Sequence, residues 1–191
     1  MPIHTIGLAI LAAGLAIACA RMIVILFRYS GAHVVTCPET HQPAGVDVDR
    51  SRALRTGLFS PPNLRLANCS RWPERAGCGQ ECLSQIEAAP QGCLVRNIVG
   101  KWYEGKVCAS CKLPFHEIQW QVSKPALLLA DKTSVEWNRV PAERLQEVLA
   151  TAEPLCCSCY LAARIVAERP DLAVERPSSW THSESASRDT R

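Results

Sequence analysis

The sequence lacks the motifs that identify most enzyme classes. It has no phosphate-binding glycine loop, no Gly-x-Ser-x-Gly nucleophile elbow and no His-Glu-x-x-His helix, and its paired carboxylates occur only in ordinary surface contexts. Aromatic residues make up 6% of the chain, the net charge is +3, and no basic motif interleaved with aromatics is present. Nucleic acid is therefore not an expected partner. An enzyme is the less favoured class, and we expect no catalytic residues.

The N-terminus lacks the positive charge of a secretory signal peptide, because no Lys or Arg precedes Arg21. The run from Ile3 to Phe27 is apolar for long enough to form one transmembrane helix, since about 20 apolar residues cross a bilayer core. Arg21 lies near one end, where a long cationic side chain reaches the headgroups. A cleaved signal peptide and a lipoprotein signal ending at Cys19 are the alternatives. The lipid bilayer is thus one expected partner.

Arginines after the apolar run set the expected orientation. Arg28, Arg50 and Arg52 follow Arg21 on the C-terminal side, and positive residues near a span tend to stay in the cytoplasm. We expect a single-pass membrane protein whose C-terminal part is cytoplasmic, where thiols stay reduced and cysteine clusters favour metal over disulfides. In the opposite orientation, the cysteines beyond the span would pair as disulfides and the metal hypothesis would fail with the topology.

Cysteine is what the chain has in excess, with eleven in 191 residues. Four of them form two Cys-x-x-Cys pairs, Cys108/Cys111 and Cys156/Cys159. Zinc favours four soft ligands at tetrahedral corners, and two residues between cysteines let a tight turn direct both sulfurs at one ion. Covalent haem is excluded because neither pair is followed by histidine. The expected cofactor is a structural zinc ion bound by these four residues.

A second group of cysteines lies in the middle of the chain: Cys69, Cys78, Cys82 and Cys93. The segment from Gly79 to Ala89 predicts a short helix ended by Pro90, with Cys78 and Cys82 on one face. That spacing suits two ligands of one ion better than a disulfide. Cys69 and Cys93, or Cys37, complete the set. Zinc, an iron–sulfur cluster and plain buried thiols all stay open for this second site.

Local patterns predict an α+β fold with short antiparallel strands and helices after the N-terminal helix. The predicted strands are Ala32–Thr36, Ala44–Val48, Phe115–Val122, Pro125–Leu129 and Thr133–Trp137. The predicted helices are Gln91–Tyr103, Pro141–Ala150 and Tyr160–Glu168. The last of these follows the second cysteine pair directly. The order along the C-terminal part is therefore first Cys-x-x-Cys pair, strands, helix, second Cys-x-x-Cys pair, helix.

That order resembles the treble-clef class of zinc fingers over roughly Val107 to Pro170. The resemblance implies one structural zinc on the four paired cysteines, with the second pair presented from a helix's first turn, and it implies no activity. Three features depart from the class: 44 residues separate the two Cys-x-x-Cys pairs, Cys157 is an extra thiol, and His116 offers a competing ligand. The whole chain also resembles bacterial single-span membrane proteins with a cysteine-rich cytoplasmic part, through Thr36-Cys-Pro-Glu-Thr and Arg71-Trp-Pro-Glu-Arg.

These observations predict four regions: a transmembrane anchor (1–30), a cysteine-rich juxtamembrane region (31–105), a treble-clef-like zinc-binding domain (106–172) and a flexible tail (173–191). The expected role is a structural or interaction module that contacts a protein partner at the cytoplasmic face. A thiol-based redox, metal-responsive or electron-transfer protein is the alternative. It is favoured by Cys156, Cys157 and Cys159 at a helix start, where the dipole stabilises a thiolate, but the βαβ context of thioredoxin-like motifs is missing.

Overall fold

A computed structural model of the chain describes residues 3–75, 77–118, 120 and 124–169. The protein combines an apolar N-terminal helix with two small antiparallel sheets and several short helices, and a cysteine cluster lies in its C-terminal part. The predicted mixed helix and sheet fold is thereby confirmed. The predicted tail over 173–191 falls outside the described residues.

Helix α1 spans Ile3–Tyr29 and is long and apolar enough to cross a membrane, with a mean hydropathy of 2.5 over the candidate span. A signal sequence or the core helix of a soluble protein passes the same test of length and composition. Among the described side chains of α1, those that are buried against the rest of the protein lie at its C-terminal end. Ile25 and Tyr29 are buried there, and the Arg21 guanidinium donates to the carbonyl of Ser60 at 3.3 Å. Most side chains nearer the N-terminus are exposed.

The first sheet has the order β1-β2-β3, with both pairs antiparallel. Its strands and the helix between the second and third are β1 Ala32–Thr36, β2 Pro43–Val48, α2 Arg50–Gly57 and β3 Leu66–Cys69. Alternate residues of β2 (Ala44, Val46 and Val48) are buried, as the two-residue period of a half-buried strand requires. The predicted strands Ala32–Thr36 and Ala44–Val48 are confirmed.

Three short helices follow: α3 Leu83–Ala88, α4 Pro90–Cys93 and α5 Val95–Tyr103. The predicted start of α3 is wrong. Gln80 adopts a left-handed conformation (φ 57), which a right-handed helix cannot accommodate, so the helix begins after Cys82. Cys78 therefore lies in the preceding turn and does not share a helical face with Cys82. The predicted helix Gln91–Tyr103 is broken at Leu94, whose extended backbone forms a bridge with His33 of β1.

The second sheet has the order β5-β4-β6 and is antiparallel throughout. Its strands are β4 Ala126–Leu128, β5 Ser134–Glu136 and β6 Glu153–Leu155, and the remaining helices are α6 Leu145–Thr151 and α7 Cys157–Glu168. Val99, Leu127 and Leu145 are fully buried in the core between this sheet and α5. The hydroxyl of Tyr103 donates to the buried carbonyl of Ala126 and joins α5 to β4. The predicted strand over Phe115–Val122 is not formed at 115–118, and 119 and 121–123 lie outside the described residues.

Candidate metal centre

The first Cys-x-x-Cys pair lies on a tight turn that is closed by backbone hydrogen bonds. Val107 and Pro114 form a β-bridge, and inside it the N–H of Cys108 donates to the carbonyl of Leu113 at 2.9 Å. The N–H of Lys112 donates back to the carbonyl of Cys108 at 3.0 Å, and Lys112 has the left-handed φ of 61 that reverses the chain. We call the turn from Cys108 to Leu113 the first knuckle.

The second pair lies at the beginning of α7. Cys156 is the residue before the helix, with an extended backbone, and its carbonyl accepts the N–H of Tyr160 at 2.9 Å. Cys159 is therefore in the first turn. The N–H of Ala109 donates to the carbonyl of Pro154 at 2.8 Å, which attaches the first knuckle to β6 directly before the second pair. The first knuckle and the start of α7 are thus held side by side.

The four sulfurs form one cluster, in which all Sγ atoms of Cys108, Cys111, Cys156 and Cys159 lie within 4.8 Å of one another. The Sγ atoms of Cys111 and Cys156 are 3.8 Å apart. Four thiolates at about 2.3 Å from a tetrahedral ion would be separated by roughly 3.8 Å. The distance between the Cys111 and Cys156 sulfurs therefore matches the separation that a zinc site requires. The structure brings together the residues that the spacing singles out. That they bind zinc stays a prediction.

The electrostatics of the cluster also favour a cation. Burial opposes ionisation of Cys108, but the backbone N–H groups of Cys156, Cys111 and Ser110 outweigh it and lower the pKa of this thiol. The N–H of Cys156 lies 3.3 Å from the Cys108 sulfur. The pKa of Cys156 is instead raised by burial and by the neighbouring thiols, despite the backbone N–H of Cys159. Four thiolates cannot ionise together unless a positive ion compensates their charge, and a divalent metal does this.

The cluster lies at the edge of the second sheet. Cys108 is fully buried with Ala126, Leu155 and Tyr160, whereas Cys111 is exposed. The Tyr160 hydroxyl donates to a Glu136 carboxylate oxygen at 3.3 Å and connects α7 to β5. Among the described residues, the two extra donors that the sequence offers, His116 and Cys157, are not members of the four-sulfur group.

Three members of the second predicted group, Cys69, Cys78 and Cys82, line one cavity, and the fourth cysteine that lines it is Cys37, which the sequence offered as an alternative member. That this group binds a metal stays a prediction. Cys93 is not among the residues that line this cavity, and its Sγ lies 3.6 Å from the carbonyl of Gln85, to which it donates. The sequence signal for Cys37 is the Cys-Pro-Glu-Thr turn between β1 and β2, which carries no second cysteine and so resembles no metal motif.

Comparison with known proteins found no relative of this chain. No protein-family model, curated protein or solved structure matches this chain. Its function must therefore be inferred from its own residues.

Proposed function

We propose that this chain is a membrane-anchored zinc-binding protein in which one structural zinc joins the first knuckle to the start of α7. The ligands are Cys108, Cys111, Cys156 and Cys159. One pair comes from the first knuckle and the other from the start of a helix, an arrangement that is treble-clef-like. The observation that carries the proposal is the cluster of four sulfurs within 4.8 Å. Zinc is the expected metal because four thiolates at tetrahedral corners are its usual structural ligand set.

A structural role fits better than a catalytic one. Catalytic zinc keeps one coordination position for water or substrate, whereas this cluster supplies four protein sulfurs. Among the described residues, the hydrophobic cluster around the site has four buried residues, Cys108, Ala126, Leu155 and Tyr160, with Phe115 and Leu128 packed against it. A core of this size contributes little stability, so in this proposal the binding energy of the metal holds the first knuckle and α7 together.

The proposed role is that of an interaction module. With its first turn fixed by zinc, α7 would present Leu161, Ile165 and Val166, whose side chains are about half exposed (50%, 53% and 51%). Leu161 and Ile165, four residues apart, share one face of α7 and Val166 borders it, and an exposed apolar surface of this kind suits a protein partner. In this proposal α1 is the anchor, and the arginines after it favour a module on the cytoplasmic face.

A thiol-based sensor is the second candidate, and the 3.8 Å separation of the Cys111 and Cys156 sulfurs favours it. Oxidation would form an S–S bond between them, with two electrons and two protons passing to a thiol-oxidising reactant such as a disulfide. In that function the metal-free protein stays folded and its thiols react reversibly. An electron-transfer role would instead require a redox-active metal such as iron on the cysteines, either alone or in a cluster with sulfide.

Metal analysis of the full chain decides between these functions. The protein is purified in detergent under reducing conditions without chelator, and zinc and iron are counted by elemental mass spectrometry. We expect bound zinc, and we expect chelation to lower the thermal unfolding temperature of the soluble part. A chelated protein that unfolds at the same temperature and titrates reversibly between dithiol and disulfide would reject the structural role. Iron with acid-labile sulfide would favour electron transfer.

A further inference from the structure

The turn after β1 has the backbone geometry of a metal-binding knuckle. The N–H of Cys37 donates to the carbonyl of the fifth residue after it, Gln42, at 2.9 Å. The N–H of the fourth residue, His41, donates to the carbonyl of Cys37 at 2.8 Å, and His41 has a left-handed φ of 54. The first knuckle shows the same three features at the same positions relative to Cys108. We call the turn from Cys37 to Gln42 the second knuckle.

Thr40 stands where the first knuckle has its second cysteine, so the second knuckle supplies one sulfur and the others must come from elsewhere. Three more cysteines line the cavity beside Cys37: Cys69 at the end of β3, Cys78 in the following turn and Cys82 directly before α3. The cavity has a volume of about 30 Å³, which is room for a small occupant. Their sulfurs are more widely spaced than those of the first site, which among the described residues is the group whose ligand atoms all lie within 4.8 Å of one another. A bound ion would have to draw the four side chains together from the walls of the cavity.

The charges around this cavity suit an anionic metal centre. Arg71 and Arg75 both line it, and Arg75 is paired with Glu39 at 3.6 Å. The Nε of Arg71 is buried and, within the described parts of the chain, has no hydrogen-bond partner. A divalent ion on four thiolates carries a net charge of about −2, which nearby guanidinium groups stabilise.

We infer that Cys37, Cys69, Cys78 and Cys82 form a second metal site, in which a thiophilic metal is held by four thiolates beneath the second knuckle. Cys37 takes the place that the sequence spacing suggested for Cys93. The metal would tie the β1–β2 turn, the end of β3 and the start of α3 together. Four thiols around one cavity favour a shared ion over two disulfides, because each disulfide needs its own specific Cβ geometry.

The test is the number of metal equivalents per full-length chain, counted for zinc and iron together after anaerobic purification. We expect two centres in the wild type and one in the Cys37→Ser and Cys78→Ser variants. Both of these cysteines are partly exposed, so serine is tolerated better there than at the buried Cys69 or Cys82. Cys93→Ser is the matched control and should keep both centres. If Cys37→Ser and Cys78→Ser bind as much metal as the wild type, the second site is rejected.

The two sites are separable in the same experiment, because Cys111→Ser removes a ligand of the proposed zinc site alone. A wild type that holds one equivalent of metal, lost in Cys111→Ser and retained in Cys37→Ser, would support the first site and reject the second.

Thiol alkylation of the wild type, mapped by peptide mass spectrometry, removes any dependence on variant folding. We expect chelation to make Cys37 and Cys78 reactive and to leave Cys93 unchanged. Equal labelling of Cys37 and Cys78 before and after chelation would contradict the proposal.

Discussion

Substitution of Cys111 by serine tests the proposed zinc site most cleanly. Cys111 is exposed, unlike the fully buried Cys108, so the substitution creates no cavity and its effect reports on the metal. Structural zinc contributes about 10–16 kcal/mol in small zinc-dependent folds. If four thiolates share this equally, each supplies about 2.5–4 kcal/mol, and at about 1.4 kcal/mol per tenfold change the loss of one weakens binding by roughly 10²- to 10³-fold.

The assay is a competition titration of the full chain in detergent against a chromophoric zinc chelator of known affinity. Cys157→Ser is the matched control, because Cys157 is adjacent to Cys156 but is not a member of the four-sulfur group. We expect it to bind zinc as the wild type does. An unchanged affinity in Cys111→Ser, or an equal loss in Cys157→Ser, would refute the assignment of ligands.

Three further experiments test the fold around the sites. Leu127→Ala should lower the free energy of unfolding by about 3 kcal/mol, because Leu127 is fully buried, whereas Leu113→Ala at an exposed position should change it by less than about 0.5 kcal/mol; denaturant titration measures both. His41→Gly should raise stability by about 0.5 kcal/mol by relieving the left-handed backbone, while His41→Ala should give no such gain. Burial lowers the pKa of His33 against the opposing effects of the Arg28 and Gly31 backbone and of Asp47, and among the described residues neither ring nitrogen has a partner that meets hydrogen-bond geometry. The unfolded state therefore binds the proton first, so stability should fall as the pH drops below about 6.5, by at most about 1.4 kcal/mol per pH unit from this group, and His33→Leu should remove that part of the slope in pH-dependent unfolding.

The four-sulfur cluster was predictable because its information is local. Two residues between cysteines define a turn, and the residues after Cys156 favour a helix, so each pair specifies its own geometry. The strands of the first sheet were predictable for a similar reason, since Ala44, Val46 and Val48 repeat with the period of two that a half-buried strand needs.

The set of cysteines that line the cavity beside the second knuckle was not predictable in the same way, because these cysteines come from distant segments of the chain. Spacing alone favoured Cys78 and Cys82 on a helix, but the left-handed Gln80 displaces Cys78 into the preceding turn. Cys37 reaches the cavity only through the pairing of β1 with β2, which is a tertiary contact that no local pattern encodes. Short elements such as β6, with three residues including Pro154, carry too little periodicity to be recognised.

Membrane orientation and metal binding are linked in the proposed function. The stretch of α1 from Ile3 to Ala20 rises about 27 Å at 1.5 Å per residue, which is close to a hydrocarbon core of about 30 Å. Arg21, at its end, contacts the folded part through the Ser60 carbonyl, so a span by this stretch would put both thiol clusters on the same side of the membrane. On an oxidising face, the Cys111 and Cys156 sulfurs at 3.8 Å would favour a disulfide over a metal ion. In the proposed function, metal binding therefore favours the face on which thiols stay reduced, which is the cytoplasmic face that the arginines also predict.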